Sequence, residues 1–407
     1  MFKKFRTISG DTQSTKHLYA EHLPSAQRNL PSQKLFYYSN FARTPLHILC
    51  LIAIFAIVGI MNMYSISLTT TPMYFHKFLM FWVFAMVPLY LAIIINLRYL
   101  LKFSYVIYTL SLLGLIAVFA IGDVSMGARR WIDLGFMKVQ PSEFAKIGVV
   151  FAIARYYHFV KSFSSHKMIY AIGGFAFAIF PAFLTILQPD LGSGLVIASL
   201  ACLMVFVNGI RWRWLLIAIT GLMITLPFAW NQMHNYQKDR IFTFLDPEKD
   251  PKGAGYNVIQ SKIAIGSGGF FGKGYLNNDQ SALKFLPENQ TDFAFTVFAE
   301  EFGFFGCVLF VSCFAYLIFY GSIIALQCKN YFGKMLAFGV TSLLFIHICV
   351  NLSMIMGLLP VVGIPLPFVS YGGSSLLLCV FCLGILINID INKNTVIQSS
   401  TTTFMYK

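Results

Sequence analysis

The stretch LPENQTDFAFTVFAEEFGFFG, residues 286–306, begins as a polar loop and turns within a few positions into a run that belongs in a membrane. Asp292 stands at that boundary, and Glu300 and Glu301 lie deeper. Charge inside a bilayer is costly, so each of these acids needs either a partner or a function.

Moving outward, the rest of the chain has the same character. It has 407 residues, 57% apolar and only 11% charged, with a mean hydropathy of +0.70. That composition excludes an ordinary soluble domain and points to a polytopic membrane protein. A span needs roughly 20 apolar residues. Candidates fall at 46–65, 77–97, 103–122, 143–160, 168–187, 192–209, 213–230, 293–325, 333–357 and 372–389. The expected fold is therefore all-α, about ten transmembrane helices with a large extracytoplasmic loop (231–291) between the seventh and eighth. Residues 1–44 read as a disordered basic tail, 45–391 as the membrane domain and 392–407 as a C-terminal tail.

Basic residues orient the bundle. Arg98 and Lys102, Lys161 and Lys167, Arg211 and Arg213, and Lys329 and Lys334 occupy alternate connections, on the side of the basic N-terminal tail. Both termini are expected in the cytoplasm. The net charge of +14 is accounted for by attraction to anionic lipid, without nucleic acid. About 45 mostly polar residues precede the first apolar run, which reads as an uncleaved anchor rather than a signal peptide. The eight cysteines fall in or beside spans, and Cys379 and Cys382 read as packing thiols, with neither a disulfide framework nor a zinc site expected.

Three segments interrupt the apolar pattern, all on the expected outer face: GARRWIDLGFMKVQPSEFAK (127–146), the stretch from Asn231 to Thr291, and LLPVVGIPLPFVSYGGSS (358–375). The prolines and glycines of the third forbid a continuous helix. Irregular backbone at membrane depth is tolerated only when buried in protein or lining a wet cavity; a plain interhelical turn is the alternative. Ser370 and Ser374 offer hydroxyls to a headgroup or cap the last helix. GSGGFFGKG (266–274) fails the G-x-x-x-x-G-K-[ST] pattern, leaving a flexible loop or a backbone nest for a lipid phosphate.

The charged residues carry two readings each. Glu143 and Lys146 share a face three residues apart, as an ion pair locking the start of a helix or as a lysine meeting a diphosphate. Asp190 in QPDLGSG caps a helix or faces a ligand. Arg129, Arg130 and Trp131 bind a pyrophosphate and a sugar face or form an interfacial anchor. His347 reads as a satisfied core imidazole. Asp292 sits in the first turn of a helix, where the dipole favours an acid, or serves as a general base at a cavity mouth. Glu300, about 12 Å further along at 1.5 Å per residue, is too distant for the same proton, and Glu300 and Glu301 read as buried supports.

Together, GARRWIDLG…QPSEFAK, QPDLGSG, LDPEKDPKGAGYNVIQSKIAIGSGGFFGKGYLN, FLPENQTDFAFTVFAEEFG and LPVVGIPLPFVSYGGSS resemble the SEDS family (shape, elongation, division, sporulation), in the family's order from about residue 46 to 391. The wording AGYNVIQSKIAIGSGG is similar to its rod-elongation branch rather than its division branch. The resemblance implies a ten-helix peptidoglycan glycosyltransferase that polymerises lipid II on the outer face of the bacterial cytoplasmic membrane. It implies a class B penicillin-binding protein and other elongation-complex proteins as partners, and a loosely bound divalent cation, Mg2+ or Mn2+. The family's essential aspartate falls on Asp292, as base and metal contact. Glu143, Lys146, Arg130 and Trp131 match the family's polar-cavity and arginine-tryptophan motifs, and with Asp190, Lys262 and Ser370 they form the expected substrate-binding set. Where the family motif usually has His, this chain has Gln290. A lipid II flippase and a non-catalytic scaffold for a transpeptidase are the alternative functions.

Overall fold

A computed structural model describes residues 44–125, 128–133, 135, 137–160, 168–209, 220, 235–250, 253–277 and 290–395. The expected N-terminal tail up to residue 43, the seventh span (213–230, residue 220 apart) and residues 396–407 lie outside the described residues. So do residues 278–289 of the long outer segment.

The chain runs α1 (Leu46–Thr69), α2 (Pro72–Ile94), α3 (Leu97–Ile121), β1 (Asp123–Ser125), β2 (Ala128–Asp133), β3 (Lys138–Val139), α4 (Pro141–Val160), α5 (Met168–Leu187), α6 (Leu191–Val207), α7 (Asn235–Leu245), a 3-10 turn (Pro247–Lys249), α8 (Ala254–Ser267), α9 (Ala294–Gln327), α10 (Tyr331–Ile355) and α11 (Gly373–Ile391). Helices α1–α6 and α9–α11 coincide with nine of the expected spans, and seven of them are long and apolar enough to cross a bilayer. Local chemistry sets several of their starts. Asn96 accepts from the Arg98 N–H at 3.0 Å to begin α3, and Asn330 accepts from Phe332 at 3.2 Å to begin α10. Proline opens α2, where a missing N–H costs nothing.

Burial separates inner from outer helices. Within their apolar windows α10 and α11 are 72% and 78% buried, against 22% for α3 and α9, so the first pair is central and the second faces lipid. Helix α4, buried along almost its whole length, packs on α3 and α10, while α11 lies against α2. Asn388, buried near the end of α11, donates to the carbonyls of Ala92, Ile93 and Ile95 at 2.7, 3.0 and 2.5 Å. The Lys329 N–H donates to the Lys393 carbonyl at 2.9 Å. These bonds gather the α2–α3 turn with Arg98 and Lys102, the α9–α10 turn with Lys329 and Lys334, and the end of α11 at one end of the bundle. Asp292, at the far end of α9, lies opposite.

Two features depart from the sequence reading. The segment after α3 is a small antiparallel sheet, in order β1-β2-β3, pairing Val124 with Arg129 and Ile132 with Val139. The span expected at 293–325 is broken at Gly303 (φ 63, ψ −165), a conformation that glycine adopts without strain. The GSGGFFGKG loop repairs the break. Phe304 and Phe305 donate to the Gly269 and Phe270 carbonyls at 2.9 and 3.0 Å, and Lys273 and Gly274 donate to the Glu300 and Glu301 carbonyls at 3.1 and 3.0 Å. The backbone groups freed at the break are thus satisfied within the protein, as burial requires. A Cβ at Gly303 would collide with the backbone of Phe271 and Gly272. The loop is therefore docked, and the N–H groups of Gly268, Gly269, Gly272, Lys273 and Gly274 that a phosphate nest would draw on are already bonded to protein carbonyls.

Candidate functional site

Asp292 occupies the turn that precedes α9, one residue before the N-cap Phe293, and not the first helical turn as expected. Its main chain is tied down from several sides. The Asp292 carbonyl accepts from Asn351 Nδ2 of α10 at 2.9 Å, the Gln290 carbonyl accepts from the Tyr371 N–H at 2.8 Å, and the Ala294 carbonyl accepts from Asn62 Nδ2 of α1 at 2.9 Å. The residue is half-buried, and its carboxyl group faces the irregular 358–372 segment: a Cβ at Gly363 (φ 74) would stand 3.6 Å from Asp292 Oδ2. Tyr371 packs edge-on against Tyr74, ring centroids 5.0 Å apart. Burial, reinforced by Tyr74, raises the Tyr371 phenol above its ordinary value.

The same segment packs on the start of α6, which carries a second acid. Gly192 lies against the Val362 carbonyl, with no room for a side chain. Two residues earlier, Asp190 caps α6, its Oδ1 accepting from the Ser193 N–H at 3.1 Å. Its Oδ2 accepts from Gln140 Nε2 at 2.9 Å and from Ser142 Oγ at 3.4 Å, so Asp190 joins the start of α4 to the start of α6. Arg130, on β2, donates to the carbonyls of Gln188 and Pro189. A cation on the last carbonyls of α5 is favourable to the helix dipole. Trp131 beside it is half-buried.

Deeper in the bundle, Glu143 and Lys146 form the expected pair at 2.7 Å, with both side chains almost fully buried. Lys146 Nζ also lies 3.1 Å from His347 Nε2 of α10. Two of the ammonium's three donors are thereby occupied, and at 1% exposure it does not open to a ligand here. His347 is thus part of a buried triad rather than an isolated core ring. Among the described residues, Glu143 Oε2 and His347 Nδ1 have no hydrogen-bond partner.

Lys262 is exposed on α8 and reaches over Gly357. Its neighbour Ser261 hydrogen-bonds Thr296 Oγ1 and the Ile355 carbonyl, both at 2.9 Å, which fixes α8 beside the first turn of α9. Ser370, only 4% exposed, accepts from the Leu366 N–H at 2.9 Å and so shapes its own turn. The N-cap of α11 is Gly372, and neither Ser370 nor Ser374 caps that helix.

Glu300 and Glu301 are structural supports, as expected. Glu300 Oε1 receives Lys273 Nζ at 2.7 Å, and Glu301 Oε1 receives the Leu276 N–H at 3.2 Å and the Ser65 hydroxyl. Cys379 and Cys382 pack in the core. An apolar groove of about 670 Å³, lined in part by Phe295, Ala299, Cys307 and Ile355, runs along α9. Among the described residues no group of three or more His, Cys, Asp or Glu could hold a metal ion.

The structure therefore brings Asp292 and Lys262 to the margins of the 357–364 backbone, sets Asp190 two residues before Gly192, which packs on Val362, and leaves the Glu143–Lys146 pair inside. Asn62, Asn351 and Asn388 escaped the sequence reading. Their signal was an amide side chain within an apolar span, which has to find carbonyls in a neighbouring element.

A helical bundle with basic turns at one end and a polar, partly open rim at the other defines a multi-pass membrane protein. The chain belongs to the family of FtsW, RodA and SpoVE, whose model, described as cell cycle protein, matches residues 44–395. It is 42% identical over 295 residues to the peptidoglycan glycosyltransferase MrdB of Escherichia coli K12, covering 72% of this chain and 79% of that one. It is 37% identical over 290 residues to the stage V sporulation protein E of Bacillus subtilis, covering 69% and 76%. Among solved structures, a chain from a study of how a peptidoglycan synthase complex coordinates polymerization and crosslinking superposes with a TM-score of 0.73 at 31% identity, covering 87% of this chain and 99% of that chain. The rod shape determining protein RodA of Thermus thermophilus superposes at 0.66 with 26% identity, covering 88% and 99%.

Proposed function

We propose that this protein is a peptidoglycan glycosyltransferase of cell-wall elongation, polymerising lipid II with Asp292 as general base. The observation that carries the reading is the half-buried aspartate held by its main chain at the rim, facing a glycine in an irregular segment. The donor is a glycan on undecaprenyl diphosphate, and the nucleophile is the GlcNAc 4-hydroxyl of an incoming lipid II. Asp292 takes the hydroxyl proton as the oxygen bonds to the MurNAc anomeric carbon. The bond to the lipid diphosphate breaks with its electron pair on the leaving oxygen, and the configuration inverts.

A fixed cation stabilises the charge that develops on the leaving group. Lys262 is the better-placed candidate for that role, because it is exposed while Lys146 and Arg130 already donate to protein groups. Asp190 and Ser370 serve the substrate by shaping the α6 start and the 366–370 turn, and Trp131, next to Arg130 on β2, supplies an aromatic surface. A loosely bound Mg2+ or Mn2+ would be shared between Asp292 and the diphosphate and would supply charge for the leaving group; among the described residues no cluster of three or more His, Cys, Asp or Glu is present to hold an ion by itself.

The membrane in question is the bacterial cytoplasmic membrane, with both termini cytoplasmic and Asp292 outside. The basic turns gathered at the end opposite Asp292 support that orientation. The partner is a class B penicillin-binding protein, whose transpeptidase crosslinks the strands within a larger elongation complex.

Purified protein with its partner and labelled lipid II, assayed with and without chelator, tests the reading. Asp292→Asn is expected to abolish glycan chains while the protein still folds and binds its partner. Glycan from that variant would overturn the base assignment. Wild-type protein that makes none with partner and ions present would favour a flippase or a scaffold.

A further inference from the structure

Asn351 is completely buried in α10, and its amide is shared between two carbonyls of different segments: Asp292 at 2.9 Å and Ile364 at 2.8 Å. Two acceptors on one side of the amide fix which end is the NH2. Ile364 follows Gly363, the residue that faces the Asp292 carboxyl. A single NH2 group therefore spans from the peptide of the acid to the wall opposite its side chain.

As a pure stabiliser the arrangement is poor. Asn351 Oδ1 is buried without a hydrogen-bond partner among the described residues, and an unmatched buried acceptor costs stability that an apolar side chain of equal size would not. One helical turn before it on the same face, His347 meets Lys146 of α4. Helix α10 thus joins the interior charge pair to the rim through residues four apart.

We propose that Asn351 is a positioning residue for the transfer reaction, setting the separation between the Asp292 turn and the 358–372 segment. The proposal rests on the reading of Asp292 as base. Asn351 touches no reacting atom. It fixes where the carboxyl stands, and misplacement by about 1 Å costs a reaction of this kind about 100-fold.

The test is steady-state polymerisation of lipid II by the full-length protein with its partner, comparing wild type, Asn351→Leu, Asn351→Asp and Asp292→Asn. Leucine keeps the volume and removes the donor. Aspartate keeps the shape and, held protonated by burial against two carbonyls, donates its single O–H to only one of them at a time, so it breaks the bridge and carries the test should the leucine variant fail to fold. The expected result is a kcat per folded molecule about 10- to 100-fold lower, with KM for lipid II within about threefold of wild type. A folded variant with kcat within about twofold of wild type, or a loss confined to KM, overturns the proposal. An inactive Asp292→Asn beside active Asn351 variants removes only the positioning role, whereas an active Asp292→Asn removes the base assignment itself.

Discussion

Asp292 at the rim and the acids inside this bundle differ in exposure: Asp292 is half-buried, whereas Glu143, Glu300 and Glu301 are shut away from solvent. Inside, the carboxylates are occupied by protein: Glu143 by Lys146, Glu300 by Lys273, and Glu301 by Ser65 and the Leu276 N–H. At the rim the fastening is to the main chain of Asp292, and the residue stays half-exposed. A carboxylate with its charge matched by protein donors is a structural strut. Asp292 is placed through its peptide and remains partly open to solvent, where a substrate hydroxyl can reach it.

That contrast can be broken by substitution. The largest effect is expected at the rim, where Asp292→Asn should lower polymerisation by about 10²- to 10⁴-fold in protein that still folds. A parallel loss of stability would make Asp292 a strut as well. In the interior, Lys146→Met leaves Glu143 buried without its ammonium, at a cost of about 3–5 kcal/mol in chemical unfolding. The double variant with Glu143→Leu should recover most of that loss. A double variant that is stable yet inactive would move the pair from scaffold to site. Gly303→Ala forces a side chain into a left-handed backbone and should destabilise by about 1–3 kcal/mol, read as earlier thermal unfolding. Smallest is Arg130→Ala, which loses a cation at the end of α5 worth about 0.3–1 kcal/mol. Its kcat/KM should stay within threefold, and a greater fall would place the guanidinium on substrate.

Much of the helical layout was legible because the bilayer imposes a length. Runs such as 46–65 and 333–357 reappear as α1 and α10 with small shifts at their ends. The sheet at 123–139 was not legible, since strands of two to six residues carry too little alternation to stand out beside a helix. The break in α9 left a trace in the length of the expected span: 33 residues would rise about 50 Å, well beyond a core of about 30 Å. Gly303 could not be chosen among several glycines until its contact with Gly272 was known.

At the site, residue types were easier to read than their commitments. Glu143 and Lys146 were legible as a pair because three positions bring them onto one helical face. The third member, His347, is 201 positions away from Lys146, and Arg130 finds its carbonyls 58 and 59 positions on. No local spacing encodes contacts of that kind. Asn351 was hidden for the same reason, its two acceptors being set by how α9 and the 358–372 segment return to α10.

The joint at Gly303 also governs how displacement travels through the protein. An unbroken rod of 34 residues would transmit a tilt of its basic end directly to the acid at the other. Here the backbone bonds on both sides of the joint run to one glycine-rich loop, so that loop sets the angle between the lipid-facing shaft and the short upper piece. The short upper piece, tethered to α1 at Ala294 and preceded by a turn tethered to α10, keeps its bearing.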